Sequence, residues 1–250
     1  MQDIGVSREV KSVIRLIGEE GRNNISSFYS GCLDRKFEEY SNLDMALMSI
    51  DNGYVYSETA KDVFTNYSGF NYRRINAAAR NTWNYDEHGH INEKPRFDRI
   101  AYELKNAIDE NQNSVGDIKV FRGVPLNYFS DYGISTLSDL DSLKGGFLLD
   151  KGFVSTSLTD DTCYYKKENE LGLNYNVKIE YLVPKEFEDG VSISNVSYSP
   201  NQGEYLINSW NLAQVVEVSM DGNDGAIIQA MLIPKKVYDK SYDYKSGNVK

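Results

Sequence analysis

Residues 197–207 read SYSPNQGEYLI, a polar turn that leads into an apolar strand. Pro200 and Gly203 are typical turn residues, and the aromatic and aliphatic residues that follow are typical of a strand. Glu204 stands at the junction and carries the one carboxylate of the segment. In an extended strand Gln202 would lie on the same side as Glu204, because side chains alternate with a period of two. Taken alone, the segment predicts a turn with one acidic side chain.

Two β-like segments precede this turn in a fixed order, VFRG at residues 120–123 and GFVSTSL at residues 152–158. Arg122 falls at the end of the first segment, and the Ser-Thr-Ser run lies inside the second. An arginine on one strand, hydroxyls on a second and Glu204 at the start of a third can converge on one cleft. These residue types suit a cationic, phosphate-bearing dinucleotide whose glycosidic bond is to be broken.

Each of these segments also has a purely structural interpretation. Arg122 is a natural bidentate partner for phosphate, and Gly123 leaves the backbone open to a close ligand, but a surface ion pair is the alternative. Serines on a strand can equally satisfy backbone groups of their neighbours. Glu204 can stabilise the positive charge that develops on a ribose when its N-glycosidic bond breaks, or it can be a solvated turn residue.

An upstream helical pattern adds residues to the same candidate site. The segment YSGFNYRRINAAAR spans residues 67–80, and Asn76 and Arg80 stand four residues apart in it. Both side chains can therefore face one ligand. A downstream loop contains Tyr164 and Lys167, an aromatic and a basic residue. The structural alternatives are an amphipathic helix with an exposed arginine and a solvated cluster of charges.

In order and spacing, these segments resemble the Arg-Ser-Glu class of bacterial mono-ADP-ribosyltransferase toxins. The clostridial Rho-modifying exoenzyme type, with its Gln-x-Glu motif, is the most similar, and the resemblance spans residues 60–235. It implies an α+β ADP-ribosyltransferase fold, in which two packed antiparallel-rich β-sheets surround an NAD cleft and N-terminal helices flank them. It also implies NAD as the substrate that donates ADP-ribose, and no metal.

The resemblance further implies a role for each candidate residue. Arg122 is expected to hold an NAD phosphate, and Ser155 to steady Glu204, which stabilises the ribosyl cation. Asn76 and Arg80 are expected on the adenosine-phosphate side of NAD. The implied catalytic set is Glu204, Gln202, Ser155 and Arg122. The implied NAD-binding set is Asn76, Arg80, Arg122, Gly123, Ser155, Thr156, Ser157, Tyr164, Lys167 and Glu204.

In the family that the chain resembles, the position two residues before the glutamate selects the acceptor. Glutamate there goes with arginine modification, and glutamine goes with asparagine modification in Rho-type GTPases. Gln202 therefore implies transfer to an Asn or Gln side chain of a target-cell protein, with a Rho-type GTPase as the candidate. Tyr198 resembles the aromatic residue of the same target-recognition turn. The resemblance also implies a secreted or injected bacterial effector that acts in the target-cell cytosol, and we expect a monomer.

Three alternatives remain open at this point. An NAD glycohydrolase, with water as the acceptor, would share every NAD-side residue. A transferase that modifies arginine or a nucleic-acid base is the second, although Gln202 disfavours arginine. The third is a degenerate transferase that only binds a partner protein. The intact set of Arg122, Ser155 and Glu204 argues against it, because a binding module needs no such set.

Composition excludes several other classes of protein. The 250 residues carry 37 acidic and 27 basic side chains, a net charge of −10, which disfavours binding of nucleic acid through its phosphates. No run approaches 18 apolar residues, and the N-terminus lacks a signal-peptide pattern, so neither a transmembrane segment nor a signal peptide is predicted. Cys32 and Cys163 do not make a disulfide framework. His88 and His90, without nearby cysteines, make a poor metal site and are expected at the surface.

The chain divides into a helical layer, residues 1–112, and a β core, residues 116–238. An apolar face between Val6 and Ile17 predicts the first helix, with Gly18 and Gly21 as stop signals. Further helices are predicted near residues 25–50, 57–66, 70–83 and 96–109. Strands are predicted at residues 118–124, 152–158, 177–183, 191–196, 205–207, 213–220 and 226–234. We expect one ADP-ribosyltransferase domain over residues 1–238, followed by a frayed tail at residues 239–250.

Overall fold

Helices dominate the first half of the chain and strands the second. The computed structural model describes residues 7–50, 55–112, 115–167, 172, 174–238, 242–243 and 248–249. The helices of this part of the chain are α1 (Arg8–Cys32), α2 (Leu43–Ile50), α3 (Glu58–Asn66), α4 (Tyr72–Arg80), α5 (Tyr85–His88), α6 (Lys94–Asn111) and α7 (Lys235–Tyr238). No helix among these residues is long and apolar enough to cross a membrane.

Helix α1 is longer than the sequence pattern predicts. Ser7 caps it by accepting a hydrogen bond from the Val10 backbone N–H at 3.1 Å. Gly18, predicted as a stop signal, takes a left-handed conformation with φ of 70°, but the helix resumes after this kink and reaches Cys32. A single glycine can adopt that conformation without strain, so it bends the helix here and does not end it. Val6, at the start of the predicted apolar face, lies outside the described residues.

The predicted helix over residues 25–50 is interrupted. Residues 34–41 are not helical, and Glu38 forms a parallel bridge with Ile118. The predicted helix over residues 70–83 begins instead after a π-helical turn, Tyr67–Asn71, that joins α3 to α4. Its end is set by Asn81, which adopts a left-handed conformation with φ of 56°.

Eight strands form one sheet, in the order β2-β7-β8-β4-β1-β3-β6-β5. Neighbours are antiparallel except β4 and β8, which run parallel. The strands are β1 (Ile118–Val124), β2 (Phe147–Asp150), β3 (Val154–Ser157), β4 (Val177–Val183), β5 (Gly190–Ser192), β6 (Glu204–Ile207), β7 (Asn211–Asp221) and β8 (Gly225–Ile233). In the described part of the C-terminal segment, β9 (Tyr242–Asp243) and β10 (Asn248–Val249) form a separate two-stranded sheet.

The predicted α+β class is confirmed, and the two predicted sheets are two halves of one continuous sheet. Strands β1 and β3 meet at a single residue pair, Phe121 with Ser157. This narrow junction joins a half formed by β2, β7, β8, β4 and β1 to a half formed by β3, β6 and β5.

Two β elements differ from their predictions. Strand β2 was not predicted, because only four residues form it and two short 3-10 helices at Leu126–Tyr132 and Leu137–Leu143 precede it. The strand predicted at residues 191–196 ends at Ser192, because the backbone N–H of Ser197 turns back to the carbonyl of Ile193 at 2.7 Å. Most of the predicted frayed tail, residues 239–250, lies outside the described residues.

The helical layer covers the smaller half of the sheet. Side chains of α3, α4 and α6 share a buried apolar cluster with Phe153, Val191 and Leu206, so these helices lie against β3, β5 and β6. Helix α1 instead packs on β2, β8 and α7. This arrangement places the end of α4 beside the connection between β2 and β3, where the candidate residues meet.

Candidate active site

The three residues that the sequence singles out lie on strands β1, β3 and β6, which are adjacent at the junction of the sheet halves. Arg122 follows Phe121, whose partner across the junction is Ser157. Ser157 is in turn paired with Glu204, and Ser155 with Leu206. The register therefore brings Arg122, Ser155 and Glu204 to one region of the molecule.

The Glu204 carboxylate is buried and is held at both oxygens. Only 5% of the residue is exposed. The Ser155 hydroxyl donates to Oε1 at 2.7 Å, and the Ser197 hydroxyl donates to Oε2 at 3.0 Å. Burial raises the pKa of Glu204 above its ordinary value, while the hydrogen bonds from Ser155 and Ser197 lower it without cancelling the burial. The site thus holds a desolvated carboxylate in a fixed orientation.

A second buried carboxylate, Asp150, organises the two arginines. It ends β2 and accepts from Arg80 Nη2 at 2.8 Å and from Arg122 Nη1 at 3.4 Å. The Tyr128 hydroxyl donates to Asp150 Oδ2 at 2.8 Å, and the backbone N–H of Gly152 donates to Oδ1 at 2.9 Å. Asp150 is therefore the centre of a cluster that joins α4, β1 and the loop after β1.

Electrostatics leave this cluster cationic. Burial would raise the pKa of Asp150, but the positive charges of Arg80 and Arg122 outweigh that effect and lower it, so the carboxylate is ionised. Burial raises the pKa of Tyr128 well above its ordinary value, which keeps its hydroxyl protonated. Two guanidinium groups and one carboxylate leave one net positive charge, which suits the binding of a phosphate.

Asn76 and Arg80 were predicted to face one ligand; both lie against Gly152, but they have different hydrogen-bond partners. The Asn76 side chain is buried, and its Oδ1 accepts from the Phe153 backbone N–H at 2.7 Å. Its Nδ2 donates to the Tyr67 hydroxyl at 3.1 Å. A Cβ on Gly152 would lie 2.6 Å from Asn76 Oδ1, so this approach requires glycine. Asn76 thus fixes the chain between β2 and β3, whereas Arg80 joins the Asp150 cluster.

The residues of the Ser-Thr-Ser run alternate in their surroundings. Ser155 and Ser157 are partly exposed, while Thr156 is 3% exposed and donates its hydroxyl to the Tyr205 carbonyl at 2.6 Å. Strand alternation places Thr156 on the opposite face from its neighbours. The Thr156 hydroxyl is thus bonded to the next strand, and its contact with NAD stays a prediction.

The loop after β3 lies directly on Gly123. A Cβ at that glycine would come within 2.5 Å of the Tyr164 carbonyl carbon and 2.6 Å of the Tyr165 nitrogen, so the expected open space beside Gly123 is filled by backbone. Tyr164 is about half exposed, and the Lys167 ammonium lies 5.3 Å from its ring centre. The Tyr165 hydroxyl donates to Asp221 at 2.6 Å, which ties the loop to the hairpin between β7 and β8.

Substituting Gly123 with alanine is expected to displace this loop. The atoms that a Cβ would meet are backbone atoms and cannot rotate away, and such overpacking costs about 1–3 kcal/mol. We expect the KM for NAD to rise about tenfold, measured by nicotinamide release. Gly31→Ala is the control, because nothing lies within 4 Å of its Cβ position in α1. An unchanged KM in Gly123→Ala would show that the loop does not contribute to NAD binding.

The turn before Glu204 differs from the extended strand that the sequence suggested. Gln202 ends a short 3-10 turn, Pro200–Gln202, and Gly203 adopts a left-handed conformation with φ of 55°. Strand β6 begins only at Glu204, so the alternation argument that placed Gln202 beside Glu204 was wrong. Pro200 favours the helical turn because its ring fixes φ. Gln202 is exposed at the surface.

Tyr198 lies on the same turn as part of an exposed aromatic pair. It is 61% exposed, and its ring centre lies 5.5 Å from that of Phe70, which is 85% exposed. The Tyr198 backbone N–H donates to the Ser68 hydroxyl at 2.8 Å, which joins the turn to the π-helical turn after α3. An exposed aromatic pair of this kind suits contact with another protein.

Comparisons with known proteins identify the family of this chain. A model of the family described as ADP-ribosyltransferase exoenzyme matches residues 34–235. The chain belongs to the ADP-ribosyltransferase exoenzyme family. No curated protein sequence is significantly similar to it.

Solved structures of ADP-ribosyltransferases share the fold of this exoenzyme family member. The C3 exoenzyme of Clostridium limosum is 20% identical, with 80% of this chain and 98% of that chain covered and a TM-score of 0.62. C3stau2 from S. aureus, solved with NAD, is 19% identical, with 80% and 100% covered and a TM-score of 0.62. The toxin Plx2a from Paenibacillus larvae is 22% identical, with 78% and 98% covered and a TM-score of 0.60.

Two site residues of this ADP-ribosyltransferase were missed by the sequence reasoning. Asp150 follows an apolar run and stands two residues before Gly152, and an acidic residue at a strand end was the available signal. Ser197 lies inside the quoted turn segment, but no pattern in the sequence distinguishes it from Ser199. Among the described residues, no group of three or more His, Cys, Asp or Glu side chains is placed to hold a metal.

Proposed function

We propose that this family member is a mono-ADP-ribosyltransferase that transfers ADP-ribose from NAD to an asparagine or glutamine side chain of a protein, with release of nicotinamide. The observation that carries the proposal is the buried Glu204 carboxylate, bonded at one oxygen by Ser155 and at the other by Ser197. A carboxylate fixed in this way is preorganised for a positive charge that develops on a ribose.

The arginine cluster fits the pyrophosphate of NAD. Arg80 and Arg122 are oriented by Asp150 and keep a net positive charge, and planar guanidinium groups bind phosphate oxygens bidentately. Burial raises the pKa of the Tyr67 phenol most. The Glu204 charge raises it further, and the charges of Arg122 and Arg80 lower it. The strand register also brings Arg122 and Glu204 to one region, so the cationic cluster and the carboxylate can serve one dinucleotide.

The division of roles follows from these positions. Arg80 and Arg122 hold the phosphates, and Ser155 orients Glu204. Glu204 stabilises the ribosyl cation as the bond to nicotinamide breaks, because a desolvated carboxylate interacts strongly with a nearby positive charge. Tyr164 and Lys167, on the loop over Gly123, are proposed to close over the nicotinamide side of NAD.

Gln202 is proposed to present the acceptor side chain. Its amide can hydrogen-bond another amide but has no carboxylate to deprotonate an arginine, which favours asparagine or glutamine as the acceptor. Tyr198 and Phe70 offer an apolar contact beside it. A Rho-type GTPase in the target-cell cytosol is the first acceptor protein to test, because the Gln-x-Glu motif resembles the Rho-modifying type. We further propose that residues 1–238 act as one monomeric domain, which size-exclusion chromatography with light scattering tests.

Label transfer from biotinylated NAD to a whole-cell lysate tests the proposal, with free nicotinamide measured in parallel. Wild type is expected to label a discrete band, and mass spectrometry of that band distinguishes asparagine from arginine. Nicotinamide release without a band, in lysate and with purified Rho-type GTPases, would favour an NAD glycohydrolase. If wild type gives neither, the enzymatic proposal fails.

Gln202→Ala separates the acceptor step from cleavage of NAD. Label transfer is expected to fall about tenfold or more, because an acceptor hydrogen bond worth about 1–2 kcal/mol is lost. Nicotinamide release without an acceptor is expected to stay within about threefold of wild type. Gln202 is exposed, and among the described residues no hydrogen bond joins its side chain to Glu204. Equal losses in both assays would contradict the role assigned to Gln202.

A further inference from the structure

Ser197 connects the catalytic carboxylate to the acceptor turn. The residue is buried, and its hydroxyl donates to Glu204 Oε2 at 3.0 Å. The Ser197 hydroxyl oxygen in turn accepts a hydrogen bond from the Ser199 backbone N–H at 3.2 Å. A hydroxyl has one proton, which goes to the carboxylate, so its lone pairs are free for Ser199. The geometry forms a chain from a backbone N–H through a hydroxyl to a carboxylate.

This chain continues into the turn that carries Gln202. The carbonyl of Ser199 accepts from the Gln202 backbone N–H at 3.0 Å, and Ser199 precedes the Pro200–Gln202 turn directly. Hydrogen bonds arranged in series polarise and orient one another. The position of Glu204 Oε2 and the shape of the acceptor turn are therefore linked through two residues, Ser197 and Ser199.

The segment around Ser197 is braced from the helical side. The Ser197 backbone N–H donates to the Ile193 carbonyl at 2.7 Å, and the Val196 carbonyl accepts from the Thr65 hydroxyl at 2.8 Å. On the other side of Ser197, the Tyr198 backbone N–H is bonded to Ser68. Ser197 is thus held at a fixed distance from α3, which allows it to position the carboxylate that it contacts.

We propose that Ser197 is a positioning residue, which orients Glu204 from the acceptor turn while Ser155 orients it from β3. This inference rests on the proposed function. Each serine controls one carboxylate oxygen, so loss of either hydroxyl leaves Glu204 able to rotate. Loss of Ser197 also releases the acceptor turn, so transfer to a protein depends on it more than cleavage of NAD does.

The test compares Ser197→Ala with Ser197→Thr, which keeps a hydroxyl, and with Ser194→Ala. Ser194 is a buried serine of the same segment that bonds the Glu204 backbone carbonyl at 3.3 Å and leaves its carboxylate untouched. In nicotinamide release, Ser197→Ala is expected to lower kcat about tenfold with KM for NAD within about twofold. Ser197→Thr is expected to regain at least a third of the wild-type kcat, and Ser194→Ala to stay within about twofold.

The pH dependence of kcat is a second measurement, and a purely structural defect would not shift its acidic limb. The groups that face Glu204 are the hydroxyls of Ser155 and Ser197, with the Tyr67 phenol near enough for the Glu204 charge to raise its pKa. Removing the Ser197 hydrogen bond destabilises the ionised carboxylate, so the acidic limb of kcat is expected to move to higher pH in Ser197→Ala. The limb is expected to stay at its wild-type position in Ser194→Ala.

The two assays test the role of Ser197 separately from the proposed function. A wild-type kcat and acidic limb in Ser197→Ala would overturn the positioning role. Where a labelled protein band is available, equal losses of transfer and nicotinamide release would overturn the link to the acceptor turn, and a larger loss of transfer supports it. A wild type that releases no nicotinamide contradicts the proposed function itself, whatever the variants do.

Discussion

Glu204→Gln is expected to lower both nicotinamide release and ADP-ribosyl transfer about a hundred- to a thousandfold, which corresponds to about 2.7–4 kcal/mol of transition-state stabilisation. The substitution keeps the shape of the side chain and its capacity to bond Ser155 and Ser197. It removes the negative charge that the developing ribosyl cation requires, and it replaces one acceptor oxygen by an NH2 group that can donate to the lone pair of a serine hydroxyl. Steady-state nicotinamide release at saturating NAD measures this loss, and a variant that retains a tenth of wild-type activity would contradict the role of Glu204.

The same substitution is expected to stabilise the folded protein at neutral and alkaline pH. The pKa of Glu204 is raised above its ordinary value of 4.5, so the folded state favours the protonated form and ionisation opposes folding. This destabilisation is present above the raised pKa and disappears as the pH falls to the ordinary value. Each unit of pKa difference is worth about 1.4 kcal/mol. Glutamine removes the charge and with it the cost.

Thermal unfolding at pH 8 and near pH 4.5 tests this reasoning. The melting temperature of Glu204→Gln is expected to exceed that of wild type at pH 8, and the difference is expected to narrow at the lower pH. Glu217→Gln is the matched control, because Glu217 is exposed on β7 and should change neither activity nor stability. A lower melting temperature for Glu204→Gln at pH 8 would show that the charge is stabilised by more than the two serines.

The sequence could predict the α+β class and the order of Arg122, Ser155 and Glu204 along the chain. Each of these residues lies in a short segment that is common by itself, but the order and spacing of the three segments along the chain can be recognised without knowing how the strands pair. The junction between the sheet halves could not be predicted, because it depends on a single pairing of Phe121 with Ser157 across 36 residues of chain. Pairing over that distance leaves no local pattern.

The residues that orient the site were harder to predict than the residues that they orient. Asp150 is recognisable only once Arg80, 70 residues earlier, and Arg122, 28 residues earlier, are seen beside it. Ser197 became distinct from Ser199 only because the chain turns back at Ile193. The left-handed conformation of Gly203 likewise interrupts the backbone before Glu204, so Gln202 does not follow the alternation of strand β6. Contacts between residues far apart in the chain determine the roles of these three residues, and local secondary-structure propensity does not reveal such contacts.

Asp150→Ala is expected to destabilise the protein by about 3–5 kcal/mol and to weaken NAD binding sharply. Removing one partner of a buried ionic cluster leaves the remaining charges unpaired, and this is among the costliest changes in a protein core. Arg80 and Arg122 would then repel each other, and Tyr128 and the Gly152 N–H would lose their acceptor. Chemical denaturation measures the stability, with the exposed Asp141→Ala as a control expected within about 0.5 kcal/mol of wild type.

Asp150→Asn separates the charge of this residue from its shape. Asparagine can still accept from Arg80 and from the Gly152 N–H, so we expect a folded protein in which the orientation of Arg122 is lost and kcat/KM for NAD falls about tenfold or more. The lowered pKa of Asp150 means that its ionised form stabilises wild type above the ordinary value of 3.8, and that this contribution is lost as the pH falls below it. Asp150→Asn is therefore expected to lose less stability than wild type as the pH falls below the ordinary Asp value of 3.8. An Asp150→Ala variant with wild-type stability and KM would show that the two arginines need no anion to orient them.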